Sequence, residues 1–179
     1  MSMVRVKSAY MPNMSDGVKH VIRFSGLMVL AAAVVLLDQW TKVLADTRLQ
    51  YGAAVELLPF FNLLLQYNQG AAFSFLSEAG GWQRWFFTAI SSVVSVVLVI
   101  WVYRLNAQQK MLAIALTLIL GGAIGNLWDR VLLGYVIDFI SIHYQQSYFP
   151  AFNIADSAIS IGAALMILDI FIHPENHKD

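Results

Sequence analysis

With 179 residues, 59% of them hydrophobic and 12% charged, and a mean hydropathy of +0.64, the chain holds more apolar material than a soluble core of that size accommodates, so lipid is its expected solvent. Eleven basic side chains balance eleven acidic ones, which leaves no overall field to recruit nucleic acid or acidic substrates. The absence of cysteine excludes a disulfide, a thiolate nucleophile, a cysteine-held metal and lipidation at cysteine.

In chain order, the first ~20 residues read as a disordered tail. Four apolar runs follow near residues 24–44, 85–103, 111–133 and 152–172, each long enough at about 1.5 Å per residue to cross roughly 30 Å of hydrocarbon. Lys19 and Arg23 before the first run imitate a secretory signal, but Asp38 and Lys42 inside it, and three further spans after it, predict a retained helix. The expected organisation is a cytoplasmic tail over residues 1–23, a single membrane domain over 24–172 and a second cytoplasmic tail over 173–179.

Basic residues fall in the N-terminal tail (Arg5, Lys7, Lys19, Arg23), in the second connection (Arg104, Lys110) and at Lys178. Loops rich in Lys and Arg stay inside, so both termini are expected to be cytoplasmic. The connections at 45–84 and 134–151 then face outward. Within the first of these, Val55 to Tyr67 reads as strand material bent at Pro59, followed by the turn-like Asn68-Gln69-Gly70. A small sheet lying on the bilayer over about 46–83 is expected, either as a cap on helix ends or as a substrate cradle.

The polar residues inside the spans carry most of the remaining information. Asp38 and Lys42 are four apart on one helical face, and a structural ion pair is their simplest reading. In the third span, Gly121 and Gly125 form a small-xxx-small pair that permits close helix contact. Asn126 and Arg130, also four apart, face the same way, whereas Asp129 lies about 100° around the helix and reads as a partner for a lysine, an arginine or a headgroup.

Asp138 and Asp156 are the sharpest feature, because a carboxylate near hydrocarbon is costly to keep ionised. Each has an ordinary reading alone: Asp138 as a loop carboxylate, Asp156 as the third residue of a helix capped by Asn153. The predicted topology brings both to one membrane face beside Asn126 and Arg130, and together they read as a proton-sharing catalytic pair. Competing hydrolytic mechanisms lack their residues: His20, His143, His173 and His177 form no His-Glu-x-x-His pattern, and there is no Gly-x-Ser-x-Gly elbow. No metal or cofactor is required. A proton-coupled transporter, with Asp38, Lys42, Asp129, Asp138, Asp156 and Asp169 along its route, is the strongest rival, and a non-catalytic assembly subunit is a third reading.

Five blocks in order carry a specific resemblance: Leu37-Asp38-Gln39-Trp40-Thr41-Lys42; Tyr67-Asn68-Gln69-Gly70-Ala71-Ala72-Phe73-Ser74; Gly121-Gly122-Ala123-Ile124-Gly125-Asn126-Leu127-Trp128-Asp129-Arg130; Val136-Ile137-Asp138-Phe139; and Phe149-Pro150-Ala151-Phe152-Asn153-Ile154-Ala155-Asp156-Ser157. Across them the chain resembles the lipoprotein signal peptidases, or signal peptidase II, the integral membrane aspartic peptidases of bacteria. The resemblance implies four transmembrane helices with an outward β cradle, placed in the inner membrane with the active site near the periplasmic side. It implies an enzyme that cuts prolipoproteins before a diacylglyceryl-modified cysteine, acting as a monomer among membrane lipids. Carried over residue by residue, the catalytic dyad is Asp138 and Asp156, the substrate is surrounded by Asn68, Gly70, Gly122, Asn126, Arg130 and Asn153, and Asp38 with Lys42 supports the fold.

Overall fold

The structure, a computed structural model, describes residues 14–70 and 82–177. The expectations that rest on Arg5, Lys7 and Lys178, and on Ala71-Ala72-Phe73-Ser74, lie outside the described residues. Four helices, α1 (Met14–Arg48), α2 (Trp82–Arg104), α3 (Lys110–Leu132) and α4 (Ile154–Ile172), are each long and apolar enough to cross a membrane. All four expected spans are present. The first extends further than the apolar run alone predicts, because residues 14–20, read as tail, continue the α1 helix.

Helix α3 is the centre of the bundle, with α1, α2 and α4 packed around it. Its Leu112, Leu116 and Leu120 meet Ala31 of α1 and Leu98 and Val102 of α2 in a buried core. The outer helices instead expose large apolar side chains such as Val29, Leu36, Val93, Ile161 and Phe171, which is the surface a hydrocarbon solvent requires. Small residues set the spacing. A Cβ added to Gly121 would come within 2.8 Å of the Val34 Cβ on α1, one on Gly122 within 2.3 Å of the Ala155 carbonyl oxygen on α4, and one on Gly162 within 2.6 Å of the Ala115 carbonyl on α3. Gly125 sits against Asp38 and Ala155, so the glycine pair read from sequence serves two neighbouring helices at once.

At one end of the bundle lies a four-stranded antiparallel sheet in the order β1-β2-β3-β4, made of β1 (Ala54–Leu58), β2 (Phe61–Asn68), β3 (Val136–Tyr144) and β4 (Ser147–Tyr148). The bend at Pro59 is the β1–β2 hairpin expected from sequence. The second half of the sheet was not expected. Asp138 lies on a strand, β3, and not in a loop, with Gln66 as its cross-strand partner and Asn68 opposite Val136. The turn from α3 into β3 runs through Gly134, whose φ of 88° is left-handed backbone that favours glycine.

Candidate active site

The site is organised by the start of α4. Asn153 is extended (φ −134°, ψ −173°) and caps the helix, its side-chain oxygen accepting from the Asp156 backbone N–H at 2.9 Å. The Asp156 carboxylate returns the contact by accepting from the Asn153 N–H at 3.2 Å, which completes a capping box. The acid expected at the third position of this helix is therefore present, and its cap has a second task. The Asn153 amide donates to Asp138 at 2.7 Å, to the Ile137 carbonyl at 3.2 Å and to the Asn126 side-chain oxygen at 3.2 Å. One asparagine thus ties the β3 carboxylate to the α4 carboxylate.

Each acid has further donors. Asp138 accepts from the Asn68 amide of β2 at 3.1 Å, and Asp156 accepts from the Asn126 amide of α3 at 2.7 Å. Asp138 is buried while Asp156 is half-buried. Burial, and after it the negative charge of Asp156, push the Asp138 carboxyl up to about 7, against the lowering effect of the Asn68 and Asn153 hydrogen bonds. A carboxyl raised that far still carries its proton about half of the time at neutrality and can act there as an acid.

The other residues expected around a substrate divide into two groups. Asn68 and Gly70 form a tight turn, with the Gly70 N–H donating to the Asn68 side-chain oxygen at 2.8 Å and Gly70 at φ 102°. That turn aims the Asn68 amide at Asp138. Arg130 lies over the Phe87 ring at 5.5 Å, and among the described residues the one hydrogen bond of its side chain is to the Asn126 carbonyl at 3.3 Å. Asp156, Asp138 and Asp129 are the carboxylates whose charge acts on it. Gly122 differs, because its missing side chain is filled by Ala155 and Ile159, so its part is to seat α4.

Beneath the carboxylates lies a buried ionic network. The Lys42 ammonium meets Asp38 at 2.7 Å, Asp129 at 2.9 Å and the Asn126 side-chain oxygen at 2.9 Å, all three partners buried. The Asp38–Lys42 pair expected from sequence is there, and of the lysine, arginine or headgroup read as partners for Asp129 the structure supplies Lys42. Both acids reach onward: Asp38 accepts from the Ala155 N–H at 2.8 Å and Asp129 from the Ile137 N–H at 3.2 Å. The residues before Asp156 and Asp138 are therefore held by the two ends of one lysine-centred cluster.

The family profile described as Signal peptidase (SPase) II matches residues 30–172. The chain belongs to the signal peptidase II family. A lipoprotein signal peptidase of Acinetobacter baumannii is 54% identical over 152 residues, 85% of each chain, and one of Cellvibrio japonicus is 52% identical over 147 residues, 82% of this chain and 86% of that one. Among solved structures, a bacterial membrane enzyme determined by the in meso method at 2.3 Å resolution superposes with a TM-score of 0.74 at 34% identity, covering 87% of this chain and 93% of that one. As a member of the signal peptidase II family the chain is a multi-pass membrane peptidase.

Two residues of the site escaped the sequence reading. Gln39 donates to Asp129 at 2.8 Å and to the Gly125 carbonyl at 3.1 Å, linking α1 to α3 beside the ionic cluster. Its signal was its place in the first signal peptidase II block, between Asp38 and Lys42. Arg84 donates to the Arg130 carbonyl at 2.9 Å and the Val131 carbonyl at 2.7 Å, closing the C-terminus of α3 where a cation is favoured. Nothing local in sequence foretells that long-range cap.

Proposed function

We propose that this enzyme is an aspartic endopeptidase that removes signal peptides from prolipoproteins by cutting before a diacylglyceryl-modified cysteine, with Asp138 and Asp156 as its catalytic dyad. The observation that carries the reading is the Asn153 side chain, which donates to one aspartate at 2.7 Å and accepts from the backbone of the other at 2.9 Å. Two carboxyl groups so tied cannot both ionise cheaply, and they titrate as a unit. The resting proton is assigned to Asp138, the buried member, and the part of base to Asp156 in the first turn of α4.

In the reaction, Asp156 takes a proton from water as the water oxygen attacks the scissile carbonyl carbon. Asp138 gives its proton to the carbonyl oxygen. The tetrahedral diol then collapses, the proton on Asp156 passing to the departing amine and one hydroxyl proton returning to Asp138, so the dyad ends as it began. No covalent intermediate forms. An extended peptide in lipid needs its backbone groups satisfied, and Asn68 and Arg130 are the donors suited to that task. Asn126 and Asn153 hold the dyad itself. The acyl chains add roughly 0.8 kcal/mol per buried methylene, so an unlipidated precursor loses most of its affinity.

A transporter reading is less well served. The polar side chains gather at one end of the bundle, whereas Asp169 pairs with His173 about 20 Å further along α4. The test is cleavage by purified protein in detergent of a diacylglyceryl prolipoprotein and its unlipidated form, with a chelator present. Asp138→Asn and Asp156→Asn are each expected to fold and to lose cleavage by at least about 100-fold. Full cleavage by either variant sinks the dyad assignment, and equal cleavage of the unlipidated precursor sinks the substrate assignment.

A further inference from the structure

A cavity of about 520 Å³ opens at the end of the bundle away from the sheet, where the first turns of α1 meet the α2–α3 connection. Its walls carry three cations, Lys19, Arg23 and Arg104, against a single carboxylate, Asp16. The charges are not equally engaged. Arg23 donates to the Leu105 and Asn106 carbonyls, which fastens the connection to α1 and caps the end of α2. Arg104 makes no hydrogen bond or ion pair among the described residues, and Lys19 has only a 4.0 Å pairing with Asp16 in which both side chains are well exposed. An exposed pair of that kind stabilises little and is readily exchanged for a better anion.

An aromatic cluster adjoins the cavity. His20, one of its lining residues, meets the Tyr103 ring edge-on at 4.9 Å, and Phe24 meets the same ring edge-on at 5.3 Å. The cavity wall itself is cationic, and the exposed amides of Asn106 and Gln108 belong to it. A cationic, amide-bearing cavity beside aromatic rings at the end of membrane helices suits a glycerophospholipid whose headgroup is anionic and carries hydroxyls. A free phosphate would use only the cations. A zwitterionic lipid would bring its own cation towards Lys19 and Arg104.

We infer that this cleft is a discrete binding site for one anionic glycerophospholipid, with Arg104 and Lys19 on the phosphate, Asn106 and Gln108 at the headgroup hydroxyls, and Tyr103 beside the glycerol. Basic pockets between membrane helices recognise headgroups in this way, and the site stands apart from the dyad at the other end of the bundle.

The test titrates the full chain in detergent with phosphatidylglycerol, phosphatidylcholine or inorganic phosphate, counting bound lipids by native mass spectrometry. One phosphatidylglycerol is expected to bind at least tenfold more tightly than phosphatidylcholine, and inorganic phosphate at equal concentration should not displace it. The Lys19→Gln/Arg104→Gln protein is expected to lose roughly twenty- to thirtyfold of that affinity at low ionic strength. Lys19→Arg/Arg104→Lys should retain it, and Asp16→Asn should strengthen it, a gain that a damaged fold would not produce. Cleavage of the lipoprotein precursor should be unchanged in all three. Equal binding of the two lipids by the unaltered protein, an unchanged preference in Lys19→Gln/Arg104→Gln, or displacement by inorganic phosphate each overturns the proposal.

Discussion

Asp138 is the carboxyl of the site whose titration is moved towards neutrality. Asp138 is held up to about 7 against an ordinary 3.8, first by burial and then by Asp156, so between about pH 4 and 7 the folded chain binds more protons than the unfolded one. Stability contributed by this group is therefore greatest at low pH and falls as pH rises through that window. Asp138→Asn cannot titrate. The stability of the unaltered protein minus that of the variant should decline by up to about 4 kcal/mol from pH 4 to 8, read from unfolding in detergent at several pH values; a flat difference contradicts the assignment. Activity has the matching signature. In the proposed mechanism loss of the shared proton removes the acid, so kcat/KM should fall on the alkaline side of about pH 7, and a plateau to pH 9 would show that Asp138 does not hold the working proton.

At the scale of elements, the site depends on two contacts that place α4. Replacing Gly122 by alanine puts a methyl group 2.3 Å from the Ala155 carbonyl oxygen, a backbone atom one residue before Asp156. The helix must move, at a cost of roughly 1–3 kcal/mol, and Gly122→Ala should lose activity well beyond its loss of stability. Gly26→Ala is the control: its new methyl meets nothing within 4 Å, and thermal unfolding should show it unchanged or up to about 1 kcal/mol more stable. Equal behaviour of the two variants would show that the α3–α4 spacing does not govern the site. Lys42→Met tests the second contact. It leaves Asp38 and Asp129 buried with their shared cation gone, and a loss of roughly 3–5 kcal/mol is expected from thermal unfolding, partly relieved by adding Asp38→Asn.

Those same elements show how far the sequence could be read. The four spans were legible because lipid demands long apolar runs, and the β1–β2 hairpin because Pro59 interrupts a strand-like stretch. The Asp38–Lys42 pair and the capping box at Asn153 follow from local spacing, whereas the contact of Lys42 with Asp129 joins two helices and does not. Strand β3 was missed for a physical reason: residues 136–139 are all buried, so no alternation marks them, and their pairing is to β2, about seventy residues away. Gly122 was read beside the substrate because its block is shared with Asn126, while its neighbours in space are Ala155 and Ile159.

For the whole molecule, the remaining question is which way the bundle points. The described cations at the end away from the sheet are Lys19, Arg23, Arg104 and Lys110. At the sheet end, Arg84 is committed to helix carbonyls and Arg130 to the neighbourhood of the dyad, which leaves Arg48 as the exposed cation of that side. Lys and Arg outside the spans set orientation, so the sheet and dyad are expected to face the periplasm and the α2–α3 connection the cytoplasm. The chain lacks cysteine, so a single introduced thiol reports without background. Tyr144, 77% exposed in β3 where the chain turns into β4, and Ala107 in the α2–α3 connection are suitable positions. In intact spheroplasts a membrane-impermeant maleimide should label Tyr144→Cys and leave Ala107→Cys untouched until the membrane is opened. The reverse pattern would place the dyad at the cytoplasmic face, where a precursor already carried across the membrane could not reach it.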